Sequence, residues 1–94
     1  MRKKYRLASG TQVREEGFGL LFYTMKGPRL YFLSCGKLLE SRFFQGQLSL
    51  DQWISQLPKY SAVSEEVLED LGEQLNLLKE RGVLIECRDG EERA

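Results

Sequence analysis

Apolar and polar residues alternate along the first third of the chain, and this alternation predicts extended strands. Residues 5–7 predict a short strand, which residues 12–16 continue in extended form after a turn at Ser9-Gly10, and residues 18–25 form an aromatic-rich run that favours a second strand. Residues 29–33 predict the third strand, and the segment Lys26-Gly27-Pro28 before it has turn chemistry. Because the connections are short, we expect a three-stranded antiparallel meander.

Beyond residue 33 the apolar residues recur at helical spacing, and three helices are predicted. They cover residues 34–44, 49–56 and 65–81. Ser49 and Gln52 open the second helix with the S-x-x-Q pattern of a capping box. The predicted fold class is therefore α+β, with a three-stranded antiparallel sheet followed by three helices, in the manner of a winged-helix-like peptide-recognition domain.

The last predicted helix carries a leucine stripe that is typical of a core-facing surface. Four leucines at 3-4-3 spacing form it: Leu68, Leu71, Leu75 and Leu78. Leu77 falls about half a turn away, so we expect it to be exposed. Its neighbours on that side are Asp70, Gln74 and Arg81. These four residues could flank a groove.

Both faces of the predicted sheet are apolar. Phe18, Leu20 and Phe22 alternate onto one face, and Leu21, Tyr23 and Met25 onto the other. Three helices can cover only one of them, and an uncovered face is expected to be polar in a monomer without a partner. Either the N-terminal strand or the apolar segment 83–85 covers the second face, or a partner does.

Length and charge define a single small domain. The 94 residues are predicted to form one unit over 1–94, with a core at about 5–85 and a charged tail at 86–94. The formal net charge is zero, but residues 1–30 hold seven basic and two acidic residues, whereas the rest holds seven basic and twelve acidic. No apolar run is long enough to span a bilayer, and no signal-peptide region follows the basic start. Together with two widely spaced cysteines, this predicts a cytoplasmic protein.

The residue inventory argues against catalysis. The chain has no histidine, so it lacks the commonest general base and the commonest neutral metal ligand. Its glycines form no phosphate-binding loop, and Cys35 and Cys87 form no C-x-x-C pair. We therefore expect no catalytic residue, no metal and no cofactor. A nucleic-acid-binding role is disfavoured, because the helix predicted over 65–81 carries six acidic residues and only two basic ones.

One segment resembles a known family signature. The residues that match it are Arg14, Glu16, Phe18, Gly19, Leu21 and Tyr23, followed by the run Arg29-Leu30-Tyr31-Phe32-Leu33. The pattern is similar to that of the mycofactocin biosynthesis chaperones (MftB), a family of the PqqD-like peptide-chaperone group. Proline is common in that family where this chain has Glu15 and Gly17. The resemblance extends over roughly residues 5–85.

The resemblance implies a RiPP recognition element, a domain that binds the leader of a ribosomally made precursor peptide. In such domains the leader adds as a strand beside the third strand and against the third helix, and it is presented to a radical S-adenosylmethionine maturase that performs all of the chemistry. The residues implied at the peptide site are Arg29, Leu30, Tyr31, Phe32, Leu33, Asp70, Gln74, Leu77 and Arg81. The expected partners are a mycofactocin-type precursor peptide and the maturase, without nucleic acid or membrane. A scaffold subunit or a winged-helix regulator are the alternatives.

The segment 29–34 supports strand addition independently of the resemblance. In a meander the last strand can be a sheet edge, and this one contains neither of the usual blockers, an internal proline or lysine. Alternate N–H groups would face the peptide. The sequence leaves open whether Tyr31 or Phe32 is among them.

The maturase is predicted to dock elsewhere, either on the surface near Leu21, Tyr23 and Met25 or on the Leu77 side of the last helix.

Overall fold

The computed structural model describes residues 3–25, 29–58 and 63–87. In chain order the elements are β1 (Lys4–Leu7), β2 (Thr11–Glu16), β3 (Gly19–Thr24), β4 (Arg29–Ser34), a 3₁₀ turn (Ser41–Phe44), α1 (Leu50–Ser55), α2 (Glu65–Glu80) and β5 (Leu84–Cys87). The predicted turn at 26–28 and residues 88–94 of the predicted tail lie outside the described residues. No helix in the described ranges is both long enough and apolar enough to cross a membrane.

The strands form two separate antiparallel sheets. One has the order β2-β3-β4, so that the meander expected for the three strands is present. In its register Phe22 lies opposite Val13 on one side and Tyr31 on the other. The other sheet pairs β1 with β5, with Tyr5 opposite Glu86. The two ends of the described chain therefore meet in one ladder.

The predicted fold of one three-stranded sheet followed by three helices is wrong. The described residues contain five strands in two sheets and one long helix, α2. The apolar segment 83–85 was not assigned to a sheet, but it leads into β5, which extends to Cys87 and so into the predicted tail. Tyr5, Val83 and Leu84 are all buried. Burial of these side chains, together with the β1–β5 hydrogen bonds, explains why the terminal segments pair with each other.

The first predicted helix does not form. Gly36 adopts a left-handed φ of 57°, which interrupts a right-handed helix near its start. The Leu38 carbonyl, which would accept an intrahelical bond, instead accepts the indole N–H of Trp53 at 2.9 Å. Further on, Ser41 donates from its backbone N–H and its hydroxyl to Glu15, at 2.9 and 3.0 Å. Only one 3₁₀ turn remains, because these tertiary contacts replace the helical bonds.

The helices predicted over 49–56 and 65–81 both begin where the sequence predicts, although the first of them, α1, is short. Ser49 and Gln52 form the complete capping box of α1, a helix of six residues. Ser64 caps α2 by accepting from the backbone N–H of Val67, and Gly82 follows α2 with a φ of 81°. In the leucine stripe Leu71, Leu75 and Leu78 are buried and Leu68 is half-buried.

One core joins both sheets and α2. The inner face of the β2-β3-β4 sheet contributes Leu20, Phe22 and Leu33 to it. Phe43 and Phe44 are both buried in this core, and their rings meet edge to face with centroids 5.0 Å apart. The buried apolar side chains hold the helix against this one face, which leaves the opposite face of the sheet uncovered.

Candidate functional site

The outer edge of β4 is the first feature of interest. The strand order places β4 at the end of its sheet, and among the described residues no strand pairs with its outer side. An edge strand carries a row of main-chain donors and acceptors that can pair with another extended chain. The edge contains no proline and no lysine. Nothing in its own sequence therefore obstructs strand addition.

The hydrogen-bond alternation shows which groups of β4 point outward. The backbone N–H of Met25 donates to the Gly10 carbonyl at 2.9 Å, which places the pair Gly10–Met25 among the hydrogen-bonded pairs between β2 and β3. Because hydrogen-bonded pairs alternate along an antiparallel ladder, Phe22 of β3 points its main-chain groups toward β4. Its partner Tyr31 therefore directs its own N–H and C=O toward β3. Phe32, the next residue, directs its N–H and C=O away from β3, to the free edge.

The same alternation applies along the whole strand. The main-chain groups of Arg29, Tyr31 and Leu33 point toward β3, and those of Leu30, Phe32 and Ser34 point to the free edge; we call the latter three the outward residues. Each outward residue offers one N–H and one C=O at the edge. The question that the sequence left open is thereby settled: Phe32, not Tyr31, has its N–H on the free side.

A groove runs between this edge and α2. It encloses about 230 Å³ and is lined by Tyr31, Phe32, Leu33, Gln74, Leu77, Leu78 and Arg81. Leu33 and Leu78 are buried and lie at its base, whereas Phe32 and Leu77 are 61% and 53% exposed. The groove thus has an apolar base and the exposed Leu77 side chain beside a hydrogen-bonding edge, whereas Phe32 borders it at the edge and alternates onto the other face of the sheet.

A second hollow continues the groove toward the start of α2. It encloses about 310 Å³ and is lined by Ser34, Cys35, Leu38, Glu66, Val67, Asp70 and Leu71. Between the two hollows, the side-chain amide of Gln74 donates to Asp70 at 2.6 Å. β4 and α2 therefore run alongside each other in opposite directions, with the end of β4 beside the first half of the helix.

The structure brings most of the predicted peptide-site residues together. Six of them line the first hollow (Tyr31, Phe32, Leu33, Gln74, Leu77 and Arg81), and Asp70 lines the second. Arg29 is exposed at the start of the same strand. Leu30 lies on the opposite face of the sheet, 54% exposed. The role of these residues in binding remains a prediction.

Several lining residues were not predicted from the sequence. Leu78 belongs to the core stripe, yet it also forms the base of the first hollow. Glu66 and Val67 line the second hollow from the first turns of α2. Helical periodicity places Val67, Asp70, Gln74 and Leu77 on one side of the helix, so a search along that side could have found Val67.

The residues that carry the resemblance to the chaperone signature mainly shape the sheet beside the groove. Gly19 has a φ of 147°, and a Cβ atom there would lie 2.1 Å from the Leu33 carbonyl oxygen. A side chain at this position would collide with β4, so the glycine permits the close approach of the two strands. Arg14 forms an ion pair with Glu16 on the adjacent strand β2.

Phe18 does not lie where the alternation placed it. It was expected to share a face with Leu20 and Phe22, but it is exposed, and its ring packs on that of Phe32 with centroids 5.7 Å apart. The reason is local: Phe18 precedes the strand, in the turn before Gly19, so the alternation of β3 does not apply to it.

The outer face of the β2-β3-β4 sheet is a sizeable exposed apolar surface. We define it by Phe18, Leu21, Tyr23, Leu30 and Phe32, of which all but Leu21 are exposed. The two chain segments that could have covered it do not, because Tyr5, Val83 and Leu84 pack in the core on the other side. Apolar surfaces of this kind often mark interaction sites.

Two titratable groups have shifted pKa values: Glu15, on the edge strand β2 away from the groove, and Cys35, which lines the second hollow. The pKa of Glu15 is lowered, chiefly by the backbone N–H of Ser41 and then by its hydroxyl. Burial raises the pKa of the Cys35 thiol, which disfavours the reactive thiolate. Cys87 is also buried. Within the described ranges, no group of three Cys, Asp or Glu side chains could hold a metal ion.

No family model, no curated protein and no solved structure matches the chain.

Proposed function

We propose that the chain is a non-catalytic peptide chaperone that binds the leader of a ribosomally made precursor peptide as an added strand at β4. The observation that carries this proposal is the β4 edge, which no strand of the described ranges pairs, beside the groove against α2. A plain scaffold role would use the exposed outer face, but it would leave the β4 edge and its groove without a function.

Affinity comes mainly from main-chain hydrogen bonds. Leu30, Phe32 and Ser34 each present an N–H and a C=O at the edge, so an extended peptide can form up to about six bonds with them. These bonds do not depend on the peptide's side chains. They hold the leader in register while the rest of the precursor stays accessible to a second protein.

Selectivity comes from the side chains that the added strand places on its two faces. Successive residues of a strand point in opposite directions, so every second side chain enters the groove beside Leu77 and Leu78. The intervening side chains extend the outer face beside Leu30 and Phe32. A leader with apolar residues at alternate positions therefore buries apolar surface on one or both sides.

The motif from Arg14 to Tyr23 supports a more specific assignment, to mycofactocin biosynthesis in the cytoplasm. The partner is then a radical S-adenosylmethionine maturase, and the chain itself contributes no catalytic group or cofactor. We assign the maturase to the outer face, since this apolar surface is continuous with the strand that the peptide would add. Peptide and maturase would then meet at one edge of the sheet.

Calorimetric titration with a synthetic mycofactocin-type precursor peptide tests the proposal, together with amide chemical shifts of the labelled domain. We expect saturable binding and the largest shifts at the outward N–H groups of Leu30, Phe32 and Ser34. A scrambled leader of the same composition serves as the control. Absence of binding, or shifts confined to the far side of α2, would contradict strand addition at β4.

A further inference from the structure

The two ends of the groove carry opposite charges. Arg81 lines the first hollow, and Arg29 is exposed at the start of the neighbouring strand, so this end is basic. Glu66 and Asp70 line the second hollow, so that end is acidic. Neither arginine forms an ion pair with another residue in the described ranges. Both remain available to a bound peptide.

The fold relates these charges to the direction of β4. The strand begins at Arg29, on the basic side, and ends at Ser34, which lines the acidic hollow. Both existing pairings in this sheet are antiparallel, and antiparallel pairing is slightly more stable per residue than parallel pairing. An antiparallel guest strand therefore enters beside Ser34 and Asp70 and leaves beside Arg29 and Arg81.

From this we infer that the groove selects leader peptides with a basic residue followed, four or six positions later, by an acidic residue, with an apolar residue between them. This inference rests on the proposed function, because it describes the peptide that would add at β4. The basic residue pairs with Asp70 or Glu66, and the acidic residue pairs with Arg81 or Arg29.

The spacing follows from element geometry. Asp70 and Arg81 are eleven positions apart, which corresponds to about 16 Å at the helical rise of 1.5 Å per residue. An extended chain covers that distance in about five residues at 3.3 Å each. Both charged side chains must point into the groove, so their separation is even. Four and six are the values that bracket five, and long side chains accommodate either.

The apolar residue between the charges also follows from the lining. Leu77 and Leu78 lie on the helix between Asp70 and Arg81, and Tyr31 and Leu33 face them from the strand. A guest residue at the second or fourth position after the basic one points at this part of the groove. Apolar contact there removes the exposed Leu77 side chain from water.

The test is a selection from an mRNA-displayed library of random twelve-residue peptides against two proteins. One is the wild-type domain and the other is the double variant Asp70→Lys/Arg81→Glu, which has the same net charge. Exposed ion pairs each contribute little, so we expect about threefold to tenfold enrichment of the basic-then-acidic order by the wild type. The double variant should lose this order, because Glu66 and Arg29 keep the original charges and balance the two substituted ones. Amide shifts of the wild-type domain with an enriched peptide locate the binding.

The outcomes separate this inference from the proposed function. Shifts at Leu30, Phe32 and Ser34 with the expected charge order, lost or inverted in the double variant, support both. Shifts at those residues without a charge order, or with an order that the variant retains, overturn the inference and leave strand addition in place. Enriched peptides that shift none of these amides, or no enrichment at all, contradict strand addition and the inference together.

Discussion

Proline substitutions at two adjacent positions of β4 should have opposite consequences. Tyr31 bonds inward to β3, whereas Phe32 has its N–H on the free edge. Proline removes one N–H and adds no charge, so the two substitutions differ in the direction of the donor that is lost. We expect Tyr31→Pro to destabilise the domain and Phe32→Pro to leave it folded but unable to bind the leader normally.

The magnitude for Tyr31→Pro follows from the contacts it breaks. The Phe22 carbonyl loses its partner inside the sheet, which costs about 1–3 kcal/mol, and the half-buried tyrosine side chain is lost as well. A total of about 3 kcal/mol is a large part of the stability of a domain of this size. At about 4–8 °C per kcal/mol, the melting temperature should fall by about 12–24 °C.

Phe32→Pro should cost far less stability. The Phe32 side chain is 61% exposed and its N–H has no partner in the sheet, so we expect a loss of at most about 1 kcal/mol. Leader binding should weaken at least about tenfold, because one main-chain hydrogen bond at the centre of the edge is removed and the proline ring obstructs the approach of the peptide backbone. Phe32→Ala is the matched control, because it removes the ring contact with Phe18 but keeps the N–H.

Circular dichroism melts report the stability, and calorimetry with the synthetic precursor reports the binding. Equal stability of Tyr31→Pro and Phe32→Pro would show that the hydrogen-bond alternation assigned to β4 is wrong. A folded Phe32→Pro domain that binds as tightly as Phe32→Ala would refute strand addition at this edge, whatever the stability of the other variant.

Three further predictions concern the sheet and the residues that support it. Gly19→Ala should destabilise the domain by about 3 kcal/mol or more in denaturant titrations, because the added Cβ collides with the β4 backbone. The control Gly72→Ala has open space around its Cβ and should stabilise α2 by about 0.5–1 kcal/mol, so similar effects of the two substitutions would contradict the collision at Gly19. Glu15→Gln should lower the stability of the domain at neutral pH, because the lowered pKa of Glu15 means that its carboxylate stabilises the folded state. This stabilisation is complete above the ordinary glutamate pKa of about 4.3 and is lost as the pH falls through the lower pKa of the folded state. The difference from wild type should therefore shrink on acidification, and a difference that grows would reverse the sign of the argument. Tyr23→Asp on the outer face should weaken maturase binding at least about tenfold in a pull-down titration while precursor binding persists. Ile85→Asp changes an exposed apolar residue of β5 instead, and as the control it should bind the maturase normally.

Local features of the chain were predictable because their causes are local. The capping box at Ser49 and Gln52 needs only residues three positions apart, and it is present. Helical periodicity located α2 and left Leu77 exposed. Short connections likewise determine the β2-β3-β4 meander, since neighbouring strands with tight turns pair antiparallel.

The helix predicted over 34–44 failed for a tertiary reason. Its apolar side chains are buried at nearly helical spacing, so the pattern by itself is consistent with a helix. The left-handed Gly36 and the bonds from Trp53 to Leu38 and from Ser41 to Glu15 hold the segment in an irregular path instead. These partners are distant in sequence, and no periodicity reports them.

The sequence by itself determined α2, the meander and the side chains that could surround a peptide groove, because helical and strand periodicities assign a residue to a face without reference to the rest of the chain. Only the tertiary structure decided where those faces meet. Pairing of β1 with β5 closes the core on one face of the sheet and leaves the outer face exposed. The register between β2 and β3 is also needed to show that the Phe32 N–H points to the free edge, because a slip of one residue would exchange the N–H directions of Tyr31 and Phe32.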